Sequence, residues 1–187
     1  RTWKIENPEV AEKKDLAGIR RLVADFFKDK GQAVRIVGPS GFGKTRLALE
    51  LIDSTEKLQD YLDVNQVVFC QYEDVKDLVI NIARELADSG SQALLVVDDC
   101  PNAIHSRLSE TVHRQGSNCH VITTGVETTA QAVRKNLILQ IDRASDELIG
   151  DIATAVNQKA KGANATLVRD LSQGFPRMAV HAARALE

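Results

Sequence analysis

Hydrophobic positions along most of the chain follow two alternating patterns. Compact apolar runs, which are typical of buried strands, occur at 33–37, 66–72, 93–97, 119–125 and 137–141. Apolar residues at the three- and four-residue spacing of helices occupy the segments between them, within 44–54, 75–86, 104–112 and 127–135. Strands that alternate with helices in this way predict right-handed crossovers and a parallel sheet with helices on both faces.

The segment before the first strand has a helical pattern. Asn7 followed by Pro8 is typical of a helix start, and Gly31 suits the position just after a helix end. An apolar stripe over 16–27 lies between them and predicts a helix of about 20 residues that leads into the first strand. Trp3 precedes this helix, and we expect it to anchor the N-terminal segment on the core rather than to cover a bound base.

The C-terminal part is helical throughout. From Ser145 onward the spacing predicts two helices, a break at 174–176 and a last helix that runs to the end of the chain. We therefore expect three regions: an N-terminal segment and helix at 1–31, an α/β core at 32–143 and a small helical lid at 144–187.

Composition is that of an ordinary globular protein, with 43% hydrophobic and 27% charged residues among 187. This length fits one α/β core with a small appendage. A net charge of −2 gives no field for holding nucleic acid or an anionic membrane. No stretch approaches the roughly 18 apolar residues of a membrane span, and no signal peptide is evident, so we expect a cytoplasmic protein. Because the chain begins at Arg1 and stops at Glu187 within a helical pattern, we interpret it as a piece of a larger protein.

Cysteine and histidine spacing does not indicate a metal centre. Three cysteines are odd in number and widely spaced, which favours buried thiols over a disulfide framework or a zinc site. The histidines have no i, i+4 spacing, and we expect them to be structural. The seven residues are Cys70, Cys100, Cys119, His105, His113, His120 and His181.

A phosphate-binding pattern follows the first strand. Eight consecutive residues match G-x-x-x-x-G-K-[ST]: Gly38, Pro39, Ser40, Gly41, Phe42, Gly43, Lys44 and Thr45. The glycines let backbone N–H groups turn toward phosphate oxygens, and the helix that follows adds the positive end of its dipole. Lys44 is expected to reach the β- and γ-phosphates, Thr45 to bind magnesium, and Arg46 to lie beside them at the nucleotide. The preceding strand and following helix are the context that this pattern needs.

Two further strand ends carry candidate chemistry. Asp98 follows a buried apolar strand, 54 residues after Lys44, and is expected to hold magnesium. Asp99 is the candidate for positioning or activating the attacking water, and the alternative is a helix-capping acid. Thr123 and Thr124 end the next strand, where a hydroxyl is expected to contact the γ-phosphate or its nucleophile, although threonine is common in strands for other reasons. Because the chain has no Asn-Lys-x-Asp sequence for reading guanine, ATP is favoured over GTP.

Taken together, these segments resemble the signal-transduction ATPases with numerous domains (STAND), which include the NB-ARC and NACHT proteins. The residues that carry the resemblance are Gly38 to Thr45, Leu94 to Asp99, Val121 to Thr124 and Gly174-Phe175-Pro176. It implies a three-layer, AAA-like P-loop NTPase fold with a five-stranded, mostly parallel sheet in the order 2-3-4-1-5, followed by the helical lid. It also implies that Pro176 packs beside the adenine.

The chain departs from that family in three places. NB-ARC proteins commonly follow the Thr-Thr pair with an arginine that touches the terminal phosphate, whereas this chain has Gly125. The γ-phosphate must then be sensed by Lys44, the threonines or another arginine, with Arg107, Arg134 and Arg177 as the candidates. These 187 residues end before the winged-helix domain that follows the lid in the family, as we expect of a piece of a larger protein, and no Gly-Arg pair precedes the first helix.

The function expected from these residues and this resemblance is an ATP-binding, slowly hydrolysing switch with ATP or ADP and Mg²⁺ as cofactors. Asp99, Lys44 and Thr124 are the expected catalytic residues. The resemblance implies a module of a larger signalling or defence protein, in innate immunity or antiviral defence, that is off with ADP and self-associates with ATP. The alternatives are a nucleotide-binding scaffold without hydrolysis, an AAA-type ATPase acting on nucleic acid or protein, and a small-molecule kinase.

Overall fold

The structure is a computed structural model that describes residues 5–7, 10–52, 66–114, 117–126 and 136–186. Trp3, Arg134 and the helix predicted at 127–135 lie outside the described residues. The strands are β1 (Ile5–Asn7), β2 (Val10–Lys14), β3 (Ala33–Val37), β4 (Gln66–Gln71), β5 (Ala93–Asp98), β6 (Cys119–Gly125) and β7 (Asn136–Ile141). The helices are α1 (Leu16–Phe26), α2 (Lys44–Ile52), α3 (Tyr72–Val75), α4 (Leu78–Asp88), α5 (Asn102–Val112), α6 (Asp146–Val156), α7 (Ala163–Ser172) and α8 (Pro176–Arg184).

Five of the described strands form a parallel sheet in the order β4-β5-β6-β3-β7. This is the predicted order 2-3-4-1-5, with the strand before the phosphate-binding pattern between the Thr-Thr strand and the last one, and the prediction is confirmed. Every residue of β3, β5 and β6 is buried. Their apolar runs therefore suit strands that are covered on both faces.

The N-terminal segment differs from its prediction. Residues 10–14 form a strand rather than a helix, and β1 and β2 are an antiparallel pair that extends the sheet beyond β7. Asn7 lies in β1 and does not start a helix; α1 begins only at Leu16, after the Asp15 carboxylate accepts a hydrogen bond from the Gly18 N–H at 2.7 Å. The helix prediction fails over 10–14 because these residues pair with β1, which itself pairs with β7, and strand pairing outweighs the local spacing.

Each face of the sheet packs on different helices. On one face, Val34 of β3 and Leu94 of β5 join a core cluster with Leu47 of α2. On the other, Leu95 and Val121 join a cluster with α4 and α5 residues. Successive strand residues point to opposite faces, so residues of one parity meet α2 and residues of the other parity meet α5.

The helices α6, α7 and α8 have a core of their own. Its buried members are Ile149, Ala153, Ala160, Val168, Ala179 and Ala183. The Ala144 N–H donates a 2.9 Å hydrogen bond to the Gly174 carbonyl, and Phe175 packs on the cluster beneath α2. The predicted division at 144 remains a prediction, but a helical unit with its own small core does lie against the sheet domain.

Candidate functional site

The phosphate-binding pattern forms a turn between β3 and α2. Gly41 and Gly43 have φ angles of 84° and 90°, which favour glycine over other residues. The Phe42 ring between them is buried in the core, and the Leu47 N–H donates to the Gly43 carbonyl at 2.8 Å as α2 begins. The loop thus leads directly into a helix N-terminus, the arrangement that binds phosphate groups.

The side chains after the loop meet the tips of two neighbouring strands. The Thr45 hydroxyl donates to the Asp98 carboxylate, with 2.9 Å to each oxygen. The Thr124 hydroxyl donates to Oδ1 of the same carboxylate at 2.6 Å. Asp98 and Thr124 have the parity of Leu94 and Ile122, which face α2, and this parity brings Asp98 to Thr45 and Thr124 to Asp98.

Lys44 is buried at the same place. Its ammonium group donates to the Pro39 carbonyl within the loop at 3.1 Å. Burial lowers the pKa of Lys44 from its usual value, while the charges of Asp99 and Asp98 act in the opposite direction. The loop therefore holds a partly desolvated cation, which suits an anionic phosphate, while the two carboxylates suit a metal cation beside that phosphate.

Asp99 lies in a turn with unusual backbone geometry. Its φ of 49° is in the left-handed region, which costs a non-glycine residue energy. The Asp99 N–H donates to the Thr124 hydroxyl at 3.0 Å, and the Cys100 N–H donates to the Thr124 carbonyl at 2.8 Å. Thr124 thus holds this turn while its own hydroxyl bonds to Asp98. The Asp99 side chain itself is exposed.

Thr123 does not join the cluster, although it was expected to contact the nucleotide. Its hydroxyl lies on the α5 face, 3.1 Å from Nη1 of Arg35 and 2.9 Å from Nδ1 of His105. The reason is strand alternation: Thr123 shares its parity with Val121, and Thr124 shares the other parity. Thr123 is therefore not among the residues that we assign to the nucleotide.

A buried polar network extends from Thr123 toward α5 and β7. Nε2 of His105 lies 3.0 Å from the Asn136 amide nitrogen, and the Asn136 oxygen accepts from the Ser109 hydroxyl at 2.6 Å. Burial lowers the pKa of His105 to about 3, so the ring is neutral at pH 7. With this amide orientation, Nε2 accepts and Nδ1–H donates to Thr123. The members of this network are far apart in the chain, so no local sequence pattern indicates it.

Phe175 and Arg177 of the lid contact the loop. The Phe175 ring meets the Phe42 ring edge to face, with centroids 4.8 Å apart. A Cβ at Gly41 would lie 3.0 Å from Cβ and 3.4 Å from Cδ of Arg177, so the stem of Arg177 passes directly over the loop. Of the other candidate arginines, Arg107 bonds to Asp77 at 3.3 Å, and Arg134 is outside the described residues.

A cleft of about 420 Å³ lies between the loop and the lid. This volume is within the range of small-molecule sites. Its lining includes Gly41, Gly43, Arg46, Asp151, Pro176 and Arg177. Arg46 forms an ion pair with Glu50, and Pro176 is the first residue of α8. Two residues expected near a nucleotide, Arg46 and Pro176, thus border one cavity.

The oxygen donors of the site fit magnesium. A threonine hydroxyl and a carboxylate are hard ligands of the kind that Mg²⁺ prefers. Within the described residues, no group of three or more His, Cys, Asp or Glu side chains could hold a metal ion. Mg²⁺ at Thr45 and Asp98 would therefore take its remaining ligands from phosphate oxygens and water, which is its usual habit in nucleotide sites. When bound, it would neutralise phosphate charge.

Comparison with known proteins finds relatives in structure only. No protein-family model matches the chain, and no curated protein sequence matches it. The chain superposes on a structure of Drosophila ORC bound to DNA with a TM-score of 0.62 at 14% identity, covering 89% of this chain and 52% of that one. It therefore spans about half of the ORC chain.

Two further structures are similar. A chain from the E. coli MS115-1 HORMA:CdnC:Trip13 complex gives a TM-score of 0.53 at 13% identity, with 92% of this chain and 88% of that chain covered. A Pyrococcus horikoshii STAND protein with a tetratricopeptide repeat sensor gives 0.53 at 13% identity, with 83% and 28% covered. At 13–14% identity the likeness shows the fold alone: this is a three-layer α/β domain with a P-loop NTPase-like fold.

No helix in the described part of the chain could cross a membrane.

Proposed function

We propose that the chain is an ATP-binding, slowly hydrolysing switch module, with ADP in its off state and ATP in its on state. The observation that carries this proposal is the convergence of Thr45 and Thr124 on the Asp98 carboxylate, next to Lys44 and its loop. The structural likeness to a STAND protein and to chains of the ORC and Trip13 complexes supports it.

Each residue of the site has a role in this proposal. The loop from Gly38 to Gly43 and Lys44 bind the phosphates, and Thr45 and Asp98 bind magnesium. Asp99, exposed at the tip of β5, orients the attacking water. Thr124 holds both aspartates through one hydroxyl, since it donates to Asp98 and accepts from the Asp99 N–H.

Arg177 is the arginine that we assign to the terminal phosphate. Its stem lies over Gly41, within the cleft between loop and lid. ATP and ADP differ at the γ-phosphate, so a guanidinium on the lid that contacts this phosphate binds ATP and ADP differently. The position of the lid would then depend on which nucleotide is bound.

The switch needs a sufficient difference in binding energy. Inverting a 1:99 population requires about 5.5 kcal/mol of differential affinity. Because ATP and ADP differ at the γ-phosphate, that energy must come from Lys44, the Mg²⁺ ligands, Thr124 and Arg177. We propose that the lid then rotates against the sheet and the module self-associates, within a larger cytoplasmic protein of signal transduction, innate immunity or antiviral defence.

Three measurements on one preparation test the core of this proposal. Purified protein is analysed for carried nucleotide, for ATP hydrolysis with Mg²⁺, and for molar mass with ADP and with ATP. We expect bound adenine nucleotide, turnover on the order of 10⁻⁴ to 10⁻² per second, and a larger mass with ATP. Equal affinity for GTP would contradict the choice of base. Equal affinity for ADP and ATP at constant mass would remove the switch and leave a scaffold.

An AAA-type ATPase acting on nucleic acid or protein is the second candidate. The likeness to a DNA-bound ORC structure favours it. The net charge of −2 argues against it, because nucleic-acid binding is dominated by basic contacts to phosphates. Stimulation of ATP hydrolysis by duplex DNA or an unfolded protein would favour this candidate over the switch.

A further inference from the structure

Arg35 lies in the middle of β3, between Val34 and Ile36, and is only 2% exposed. An apolar residue would suit such a place, because a guanidinium loses its hydration there. This loss of hydration lowers the pKa of Arg35 below its usual value. A buried charge of this kind is tolerated only where polar partners replace the lost water. The partners of Arg35 therefore indicate what it does.

Arg35 donates to oxygens in the turn after β5, which contains Asp99, and at the end of the neighbouring strand β6. Nη1 donates to the Cys100 carbonyl at 2.9 Å, to the Thr123 hydroxyl at 3.1 Å and to the Thr124 carbonyl at 3.3 Å. Cys100 is the residue after Asp99, and the Thr124 hydroxyl accepts a hydrogen bond from the Asp99 N–H. One guanidinium thus ties the turn after β5 to the end of β6.

Gly125 provides independent support. A Cβ at this position would lie 2.1 Å from Nη2 of Arg35 and 3.0 Å from the Cys100 carbonyl oxygen. Gly125 is not among the residues with positive φ, so its backbone does not require glycine. The glycine is explained by space: it leaves room for the guanidinium above the strand end.

The turn that Arg35 holds is strained. Asp99 has a φ of 49°, and such geometry persists only where the surroundings enforce it. Thr124 holds this turn through the Asp99 and Cys100 N–H groups, and Arg35 holds the Cys100 carbonyl. The direction of the Asp99 side chain depends on these contacts.

We propose that Arg35 is a positioning residue for hydrolysis, which orients Asp99 toward the attacking water by fixing the Asp99–Cys100 turn against Thr124. This inference rests on the proposed function, because it assigns Arg35 to the same site. Arg35 makes its contacts within the core and acts through Asp99, so it should affect turnover far more than nucleotide affinity.

The test compares Arg35→Met, which keeps the bulk and loses the donors, with Arg35→Lys, which keeps the charge and one donor group. We expect Arg35→Met to lower kcat for ATP by ten- to a hundredfold, with KM and the Kd of ADP within threefold of the wild type. Arg35→Lys should recover part of that loss. Arg20→Met is the matched control, because Arg20 is a half-buried arginine that also bonds to a backbone carbonyl, that of Glu50 at 3.0 Å, from α1. Its kcat should stay within twofold.

A double-mutant cycle separates positioning from general damage. If Arg35 acts through Asp99, adding Arg35→Met to Asp99→Asn should lower kcat less than twofold further. Gly125→Ala moves the guanidinium without removing it and should lower kcat in the same direction, which keeps the test available if Arg35→Met does not fold. Losses of kcat that multiply in the double variant, or unchanged kcat in both Arg35→Met and Gly125→Ala, would overturn the inference alone. A wild type that binds ADP but never hydrolyses ATP would overturn both it and the proposed hydrolysis.

Discussion

The Phe42 ring of the loop meets the Phe175 ring of the lid edge to face, with their centroids 4.8 Å apart. Phe42 is fixed in the core by burial, while Phe175 immediately precedes α8, which carries Arg177. Aromatic pairs of this geometry contribute about 0.5–1.5 kcal/mol beyond the area that they bury. This contact therefore links the phosphate loop to the helix that we propose to move with nucleotide.

Phe175→Ala should loosen the lid. We expect the affinities for ADP and ATP to fall together by about tenfold, since loss of 1–1.5 kcal/mol of lid docking corresponds to that factor. Titration with a fluorescent adenine nucleotide measures it. Leu171→Ala is the control, because Leu171 is 58% exposed on α7. An unchanged affinity in Phe175→Ala would show that the lid does not contribute to binding.

Lys44→Ala should abolish nucleotide binding. The ammonium group is the buried cation of the loop, and its loss removes a charged partner of the phosphates. We expect at least a hundredfold weaker ADP binding by calorimetry, with thermal unfolding of the free protein nearly unchanged. Lys161→Ala, in an exposed turn before α7, is the matched control. If Lys44→Ala still binds ADP with wild-type affinity, the nucleotide does not bind at this loop.

Asp98 and Asp99 should have separable roles. Asp98→Asn weakens the magnesium site, so we expect the gain in ATP affinity from added Mg²⁺ to shrink by tenfold or more. Asp99→Asn should retain Mg²⁺-dependent binding and lose hydrolysis by a hundredfold or more. Binding isotherms with and without Mg²⁺ and phosphate release distinguish them. If Asp99→Asn hydrolyses ATP normally, Asp99 is a structural turn residue.

Arg177→Ala should reduce the preference for ATP over ADP. We expect ATP affinity to fall about tenfold while ADP affinity changes less than threefold, because a charged hydrogen bond to the γ-phosphate contributes about 1.5–3 kcal/mol. Arg184→Ala, in the last turn of the same helix, is the control. Equal losses for the two nucleotides would place Arg177 at the α- and β-phosphates instead.

Acid should destabilise the fold through two buried histidines. Burial lowers the pKa of His105 to about 3 and of His120 to about 4, against about 6.5 when unfolded. Below pH 6.5 the unfolded state binds the extra protons, so stability is full at neutral pH and falls as pH decreases. Each histidine should reduce the free energy of unfolding by about 2 kcal/mol between pH 7 and pH 5.

Urea unfolding at the two pH values measures this effect. His105→Gln should remove about half of the pH dependence, whereas Leu171→Ala, at an exposed residue that does not titrate, should remove none. The same midpoint at pH 7 and pH 5 would mean that these rings are already protonated or solvated in the native protein.

The sheet was largely predictable from the sequence, and the N-terminal segment was not. Strands such as 93–98 and 119–125 are continuous apolar runs, and buried parallel strands require such runs. Residues 10–14 have no such run; they form a strand by pairing with β1, which in turn pairs with β7. Gly31 was predicted to end the first helix, but α1 ends at Phe26, five residues earlier. The glycine suits its position for two other reasons: its φ of 64° is left-handed, and a Cβ there would lie 2.0 Å from the Val112 carbonyl oxygen.

The sequence by itself determined the loop, the strand order that its resemblance implies, and the two sets of alternating strand residues. The period of two in a strand puts Asp98 on the same face of its strand as Leu94 and Thr124 on the same face as Ile122, and it puts Arg35 and Thr123 on the opposite faces from their neighbours Ile36 and Thr124. Only the tertiary structure decided which face α2 covers, and hence that Thr124 reaches Asp98 while Thr123 joins Arg35 and His105. The physical reason is that a strand's period of two sorts side chains into two faces but does not say what packs on either, since that depends on helices distant in the chain.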